Sequence, residues 1–347
     1  MTSFSLLNKG IKELQSRLMF VLIAVLVFRI GTHIPIPGVD LDQVSQLFSQ
    51  SGTNTILGYF DLFTGGAMSN MSIFTLGVMP YVTSSIVLQL LSYSVPQLQE
   101  LRKQGEAGRQ VMSQYTRYLT VLLSIFQGFA ITQMLLSKNM ILIPSWIFAY
   151  YSIMTLSTGT MFLMWLGDQV TRYGVGNGVS LILFSGIVSR FPEAVARLFS
   201  QARLGQIHMI TLFLVAALVA AVIHFVVYME RGQRQLSLTY PKRQHTGKQL
   251  PQNSSKLPLK INMVSVMPPI IAQTLIIFPI TISDFLARSG YAPGLQFVSM
   301  YFQPGEPLYM IVFVSLVVTF AFYMTALMFN TDEIAEQLKK GGALIGG

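Results

Sequence analysis

The chain has 347 residues, 52% of them hydrophobic and only 11% charged, with a formal net charge of +9. A soluble domain carries about 25% charged residues, so this chain cannot cover its surface with polar groups, and a bilayer is its expected solvent. It has no cysteine, which excludes disulfides, thiolate zinc sites and iron–sulfur clusters; His33, His208, His224 and His245 form no i, i+4 pair, so neither a metal nor a cofactor is expected.

Eight apolar segments approach the roughly 20 residues a membrane helix needs. The first, Leu18–His33, follows Lys9, Lys12 and Arg17 like a signal peptide. No small-residue cleavage site follows, so it reads as a retained span. Arg29 lies near its far end, where the side chain either snorkels to the interface or is a buried functional charge.

Next comes "DLFTGGAMSNMSIFTLGVMPY", Asp61 to Tyr81, and no charge appears between Asp61 and Glu100, a stretch of 38 residues. That exceeds one span and falls short of two. The second span is placed at Ile73–Leu91. Ahead of it, Gly65, Gly66 and the Ser69-Asn70 step leave backbone groups in need of partners. Irregular backbone at membrane depth is tolerated only inside protein or beside a watery cavity. The residues alone leave two readings open, an interfacial helix or the filler of a protein-lined cavity.

Further spans are placed at Tyr118–Leu136, Trp146–Leu166, Val179–Val195, Met209–Tyr228, Ile261–Ile282 and Leu308–Phe329. Arg190 and Glu193 interrupt the fifth. "RYGVGNGVS" (Arg172–Ser180) resembles a phosphate loop only at a glance: its glycines miss G-x-G-x-x-G, and it reads as a turn between two spans. Asp168 beside it reads as a helix-end charge. Arg231–Lys260 carries seven cations and no acid, which suits either contact with anionic lipid or docking of an acidic or nucleic-acid partner.

With the N-terminus in the cytoplasm, 17 of the 23 lysines and arginines fall inside and 5 outside, with Arg29 inside a span. The positive-inside rule therefore sets the orientation. Val78-Met79-Pro80 recurs as Val266-Met267-Pro268, and Val82 answers Ile270, in the second span and the second span after the fifth. Five spans per repeat is odd, so the second copy is inverted, an arrangement used to build a central pathway between halves. The echo predicts an N-terminal half over 1–200 and a C-terminal half over 201–347 that contains three spans, two fewer than the first. No Ser/His/Asp set, carboxylate pair or H-E-x-x-H appears, so an enzyme is not expected.

"FRIGTHIPIPGVD", "FTGGAMSNMSIFTLGVMPYVTSSIVLQLL", "QGEAGRQVMSQYTRYLT", "GTMFLMWLGDQVTRYGVGNG", "ERGQRQ" with "YPKRQ", and "LPLKINMVSVMPPI" occur in order and resemble the bacterial SecY family, from about Phe20 to Gly342. The resemblance implies an all-α polytopic membrane protein with an inverted repeat, eight transmembrane helices being present of an expected ten. It implies a protein-conducting channel that passes unfolded secretory polypeptides and releases apolar segments sideways into the plasma (inner) membrane. A plug is implied at about 60–70, covering Phe63, Thr64, Gly65, Gly66, Ala67, Met68, Ser69 and Asn70. A mid-membrane ring of aliphatic side chains falls on Val78, Val82, Val179, Leu183 and Ile270. A lateral gate lies between spans two/three and seven/eight, with Gln89 and Asn262 as polar residues in it. Cytoplasmic docking falls on the loop 229–260, through Arg231, Arg234, Lys242, Arg243 and Lys248. The implied partners are the small membrane subunits SecE and SecG, the motor ATPase SecA, the ribosome, signal peptides and nascent chains, and the lipid bilayer. Two other classes stay open at this point: a truncated or accessory non-conducting form, and a secondary transporter with inverted repeats, which would need a polar midplane site.

Overall fold

A computed structural model describes residues 2–51, 56–239, 255–261 and 306–328, with 264, 268–273, 275–276, 283, 335, 338–339 and 344–345. Its elements are α1 (Thr2–Gly31), α2 (Leu41–Ser51), α3 (Ile56–Thr64), α4 (Met79–Ser94), α5 (Pro96–Lys103), α6 (Glu106–Ser137), α7 (Ser145–Tyr173), α8 (Gly178–Arg203), α9 (Met209–Arg231), β1 (Gln233–Thr239), β2 (Ser255–Lys260), α10 (Pro307–Met328) and β3 (Leu344–Ile345). Among the described residues, six helices are long and apolar enough to cross a membrane, in α1, α6, α7, α8, α9 and α10. Most of the seventh predicted span, Ile261–Ile282, lies outside the described residues; 268–273 are helical.

The predicted second span is corrected. Helix α4 begins at Met79 rather than Ile73, and residues 73–78 are turns. Met71 at φ 40° and Gly77 at φ 57° cannot continue a right-handed helix. Pro80 then sits in the first turn of α4, where its missing N–H costs nothing. The turns are pinned instead to the chain after α1: Ile36 N–H donates to the Met71 carbonyl at 2.8 Å and Ile73 N–H to that of Ile34 at 3.0 Å.

The chain divides into two compact units, Met1–Arg197 with Ile280–Tyr309, and Leu198–Pro279 with Met310–Gly347. In the first, α6 packs on α7 and α4, and α1 on α7. The buried stripe of α6 is Thr116, Thr120, Ser124, Gly128 and Thr132, small residues at every fourth position. Lipid offers no hydrophobic force to press helices together, so close backbone approach and dispersion must do so, and small side chains permit it. The hydroxyls are satisfied locally. Thr120 donates to the Thr116 carbonyl at 2.7 Å, and Thr132 to Gly128 at 2.7 Å and to Ser152 of α7 at 3.0 Å. A Cβ on Gly128 would meet Leu156 at 3.6 Å, an ordinary contact. Gly128→Ala is therefore expected to fold normally. Gly128→Leu would wedge α6 off α7 at about 1–3 kcal/mol and lower the Tm in detergent, which thermal unfolding would read.

Two apolar clusters fill this unit. One gathers Ala24, Phe28, Ala67, Phe74, Val78, Leu163, Leu166, Val170 and Ile182; the other includes Ile36, Val44, Met71, Leu135, Phe148 and Leu156. Phe74 lies stacked between Phe28 (6.1 Å between ring centres) and Phe162 (5.8 Å). It nails the turns after Met71 between α1 and α7.

In the second unit, α9 buries no residue among the described ones. A helix apolar all round needs an apolar surrounding, and α9 has the length and hydropathy of a membrane span. The basic loop after it is not all loop: β1 and β2 pair antiparallel, with Leu236 opposite Leu257, and β3 adds to the other side of β1. Pro258 falls on β2, at the sheet edge, where a missing N–H breaks no ladder.

Candidate functional site

The segment Asp61–Asn70 is seated inside the first unit. Thr64 to Met68 are buried, Phe63 and Ser69 half-buried, and Asn70 exposed. Phe63 and Thr64 still belong to α3; the irregular backbone starts at Gly65. Gly65 and Gly66 take φ of 67° and 91°, the left-handed region that only glycine occupies freely. Space demands glycine as well. A Cβ on Gly65 would stand 2.8 Å from the Gly186 Cα of α8, and one on Gly66 would stand 2.8 Å from the Arg190 guanidinium.

The backbone groups find partners, as burial requires. Gly66 N–H donates to the Asp61 carbonyl at 3.0 Å, and Ser72 N–H to Ala67 at 2.9 Å. The Thr75 hydroxyl also donates to Ala67, at 3.2 Å, and the Asn70 amide donates to the Thr32 carbonyl at 3.2 Å. Of the two readings the residues left open, the structure gives the filler rather than the interfacial helix.

Two guanidiniums grip this segment. Arg29, half-buried at the end of α1, donates to the Gly65 carbonyl at 2.8 Å and to the Ser189 hydroxyl at 3.2 Å. The snorkelling reading of Arg29 is thereby replaced: the side chain turns to protein, where a buried carbonyl needs a donor. Arg190 of α8 forms an ion pair with Asp61 and donates to the Ser69 hydroxyl at 2.9 Å. The other Asp61 oxygen accepts the Ser69 N–H at 2.7 Å. Sequence reasoning missed this arrangement. The available signal was an acid at the edge of a charge-free stretch and a cation interrupting a later span.

Beside the segment, Val78 is 2% exposed in the first apolar cluster, and Val179 and Leu183, half-buried on α8, pack against that cluster. Val82 is half-buried one turn into α4. The structure thus brings Val78, Val179 and Leu183 together. Ile270 is half-buried and helical within the second unit.

A protein-family model described as SecY matches residues 72–347. The chain belongs to the SecY family. It is 47% identical over 342 residues to the protein translocase subunit SecY of Buchnera aphidicola subsp. Acyrthosiphon kondoi, covering 97% of this chain and 96% of that one. Against the Escherichia coli K12 protein of the same name it is 46% identical over 342 residues, covering 97% and 77%. A solved structure described as that of a protein conducting channel shares the fold at a TM-score of 0.59 and 18% identity, over 96% of this chain and 78% of that one. A second, described as Sec61 in the canine ribosome-channel complex from the endoplasmic reticulum, has a TM-score of 0.52 at 19% identity, over 80% and 60%. The chain is a multi-pass membrane protein with the SecY-type helical fold.

Other residues that the SecY resemblance singled out fall as follows. Gln89 is half-buried on α4, while Asn262 lies outside the described residues. Arg231 ends α9 and Arg234 is exposed on β1, opposite Leu259; Lys242, Arg243 and Lys248 lie outside the described residues. Directly opposed residues share a face of a strand pair, so Lys256 and Lys260 share one face with Ser237 and Gln233, and Arg234 takes the other. The "RYGVGNGVS" segment joins α7 to α8, and the Asn177 side chain caps α8 by accepting from the N–H groups of Val179 (3.0 Å) and Ser180 (3.2 Å). Asp168, read as a helix-end charge, pairs with Arg117 of α6 at 2.8 Å.

Proposed function

We propose that this chain is the channel subunit of a protein translocase, passing unfolded secretory polypeptides across a membrane and releasing apolar segments sideways into lipid. The observation that carries it is the buried, glycine-shaped segment Asp61–Asn70, seated beside an aliphatic cluster that includes Val78, Val179 and Leu183. The segment is the plug, and Val78, Val82, Val179, Leu183 and Ile270 form the ring. Aliphatic side chains offer water and ions no hydrogen bonds, so a closed constriction resists wetting. The same side chains yield to any passing peptide without reading its sequence.

The lateral gate uses Gln89 and Asn262 as polar contacts that help hold it shut. Replacing both with leucine is expected to change export of substrates with defective signals; unchanged export would remove them from the gate. The segment 229–260 docks cytoplasmic partners through Arg231, Arg234, Lys242, Arg243 and Lys248. Those partners are SecA and the ribosome, with SecE and SecG as the small membrane subunits. The membrane is the bacterial inner membrane. The N-terminus is cytoplasmic, as the 17 to 5 asymmetry of cations favours.

The test is complementation. In bacteria depleted of their own channel subunit, this chain is expected to restore export of precursor proteins. Precursors that still accumulate while the chain is present in the membrane with its small subunits would overturn the reading.

A further inference from the structure

We propose that Asp61 and Arg190 form a latch that sets how strongly a substrate must act before the plug leaves its seat. The inference rests on the channel reading above and adds a specificity-determining pair to it.

The pair joins residues 129 positions apart, one at the edge of the plug and one on α8. Their side chains are 10% and 25% exposed, so the contact is largely withdrawn from water. One guanidinium closes both ends of the segment. Arg190 holds the Asp61 carboxylate and the Ser69 hydroxyl, and Asp61 in turn accepts the Ser69 N–H. The other contacts of the seat pair no two opposite charges: the Arg29 bond to the Gly65 carbonyl, the Asn70 bond to the Thr32 carbonyl, the Thr75 bond to the Ala67 carbonyl, Ala67 in the apolar cluster, and backbone packing of Gly65 on Gly186. From Met71 onward the chain is fixed by the Ile36 bond to Met71, the Ile73 bond to Ile34 and the stacked Phe74. Displacing the plug therefore leaves residues 71–78 in place and breaks the contacts of 61–70.

The two charges fare differently when that happens. Arg190 keeps Glu193, whose carboxylate is 3.2 Å away and 49% exposed. Asp61 loses its cation and must reach water. Breaking a buried pair by removing one partner is costly because the other charge is left uncompensated. Removing Arg190 alone leaves the Asp61 charge in the seat with only the Ser69 N–H to hold it and drives the plug out. Removing Asp61 alone leaves Arg190 with Glu193 and does less. Removing both leaves no uncompensated charge.

This predicts an order that mere structural damage would not give. The chain is reconstituted with its small membrane subunits in vesicles, and basal iodide flux is measured for wild type, Asp61→Asn, Arg190→Gln and the double variant. Arg190→Gln is expected to raise flux about tenfold or more, the effect of roughly 1.4 kcal/mol on the open population. Asp61→Asn is expected to raise it less, and the double variant to leak less than Arg190→Gln alone. Arg190→Lys, which keeps the charge, is expected to restore most of the closure. Midpoints of thermal unfolding should stay with wild type. Wild-type flux in all variants, additive increases in the double variant, or leak that follows loss of thermal stability would overturn the latch. Failure of the channel reading looks different: wild-type vesicles would then show no flux even with an added apolar signal peptide of about 20 residues, and the latch would fall with it.

Discussion

Gly159→Leu is expected to abolish accumulation of the protein in the membrane. Gly159 lies on α7 where the turn before α4 crosses it. A Cβ there would stand 2.0 Å from the Ile73 carbonyl oxygen and 3.0 Å from its carbon. A flexible side chain could rotate away, but this neighbour is backbone, and it is held. Ile73 N–H donates to Ile34 at 3.0 Å, and the Phe74 ring beside it stacks on both Phe28 and Phe162. Relief requires moving the whole turn or separating α7 from α1. Single substitutions that cost more than about 4–5 kcal/mol are exceptional, and strain of this kind in a packed core is among the named causes. That is a large share of the roughly 5–15 kcal/mol that keeps a typical protein folded. Gly159→Ala is expected to be nearly as damaging. Gly105→Ala is the comparison. Gly105 has φ 69°, but among the described residues no atom lies within 4 Å of where its Cβ would sit. Only local backbone strain follows there, about 1–3 kcal/mol for a side chain held at φ 69°, ψ −128°. Immunoblots of the membrane fraction and Tm in detergent check both. Wild-type amounts of Gly159→Ala with unchanged Tm would show that α7 does not meet Ile73 this closely.

Polar substitutions in the proposed aliphatic ring are expected to make the closed channel leak, and burial separates the positions where stability would confound that test from those where it would not. Val78 is 2% exposed and packed among Ala67, Phe74 and Leu163. An asparagine there buries an amide without partners, at about 1–3 kcal/mol by mutational measure, so lost stability would confound the flux. Val82, Val179 and Leu183 are half-buried. Val179→Asn with Leu183→Asn gives the proposed constriction hydrogen-bonding groups at smaller folding cost. Dewetting then fails, and basal iodide flux is expected to rise by an order of magnitude or more, on the scale of roughly 1.4 kcal/mol per tenfold. Val179→Leu with Leu183→Ile keeps the surface apolar and should stay tight. Equal flux from the polar and apolar pairs would remove these residues from the seal.

Some of this was readable from the residues. Hydropathy needs only composition along the chain, so the spans in α1, α6, α7, α8, α9 and α10 stood out, as did the motifs that place the chain in the SecY family. The start of α4 was not readable. The positive φ at Met71 goes with tertiary bonds that local propensity does not see: Ile36 N–H donates to the Met71 carbonyl, and Ile73 N–H to that of Ile34. Nor was the hairpin readable in a loop noticed only for its charge: Gln233–Thr239 pairs with a strand beginning at Ser255.

Hydropathy along the chain is enough to put this protein in a bilayer and to mark the long apolar helices that can cross it, and the glycines ahead of α4 are enough to show a charge-free stretch whose backbone groups need partners. Those follow from transfer energies and from the backbone's need for hydrogen bonds, which are local properties. What those partners are follows from how the helices pack. Arg29 and Arg190 read as awkward charges in apolar helices until the fold set one against the Gly65 carbonyl and the other against Asp61. An ion pair between positions 61 and 190 depends on how α3 and α8 pack, and side-chain chemistry along a single chain does not encode that distance.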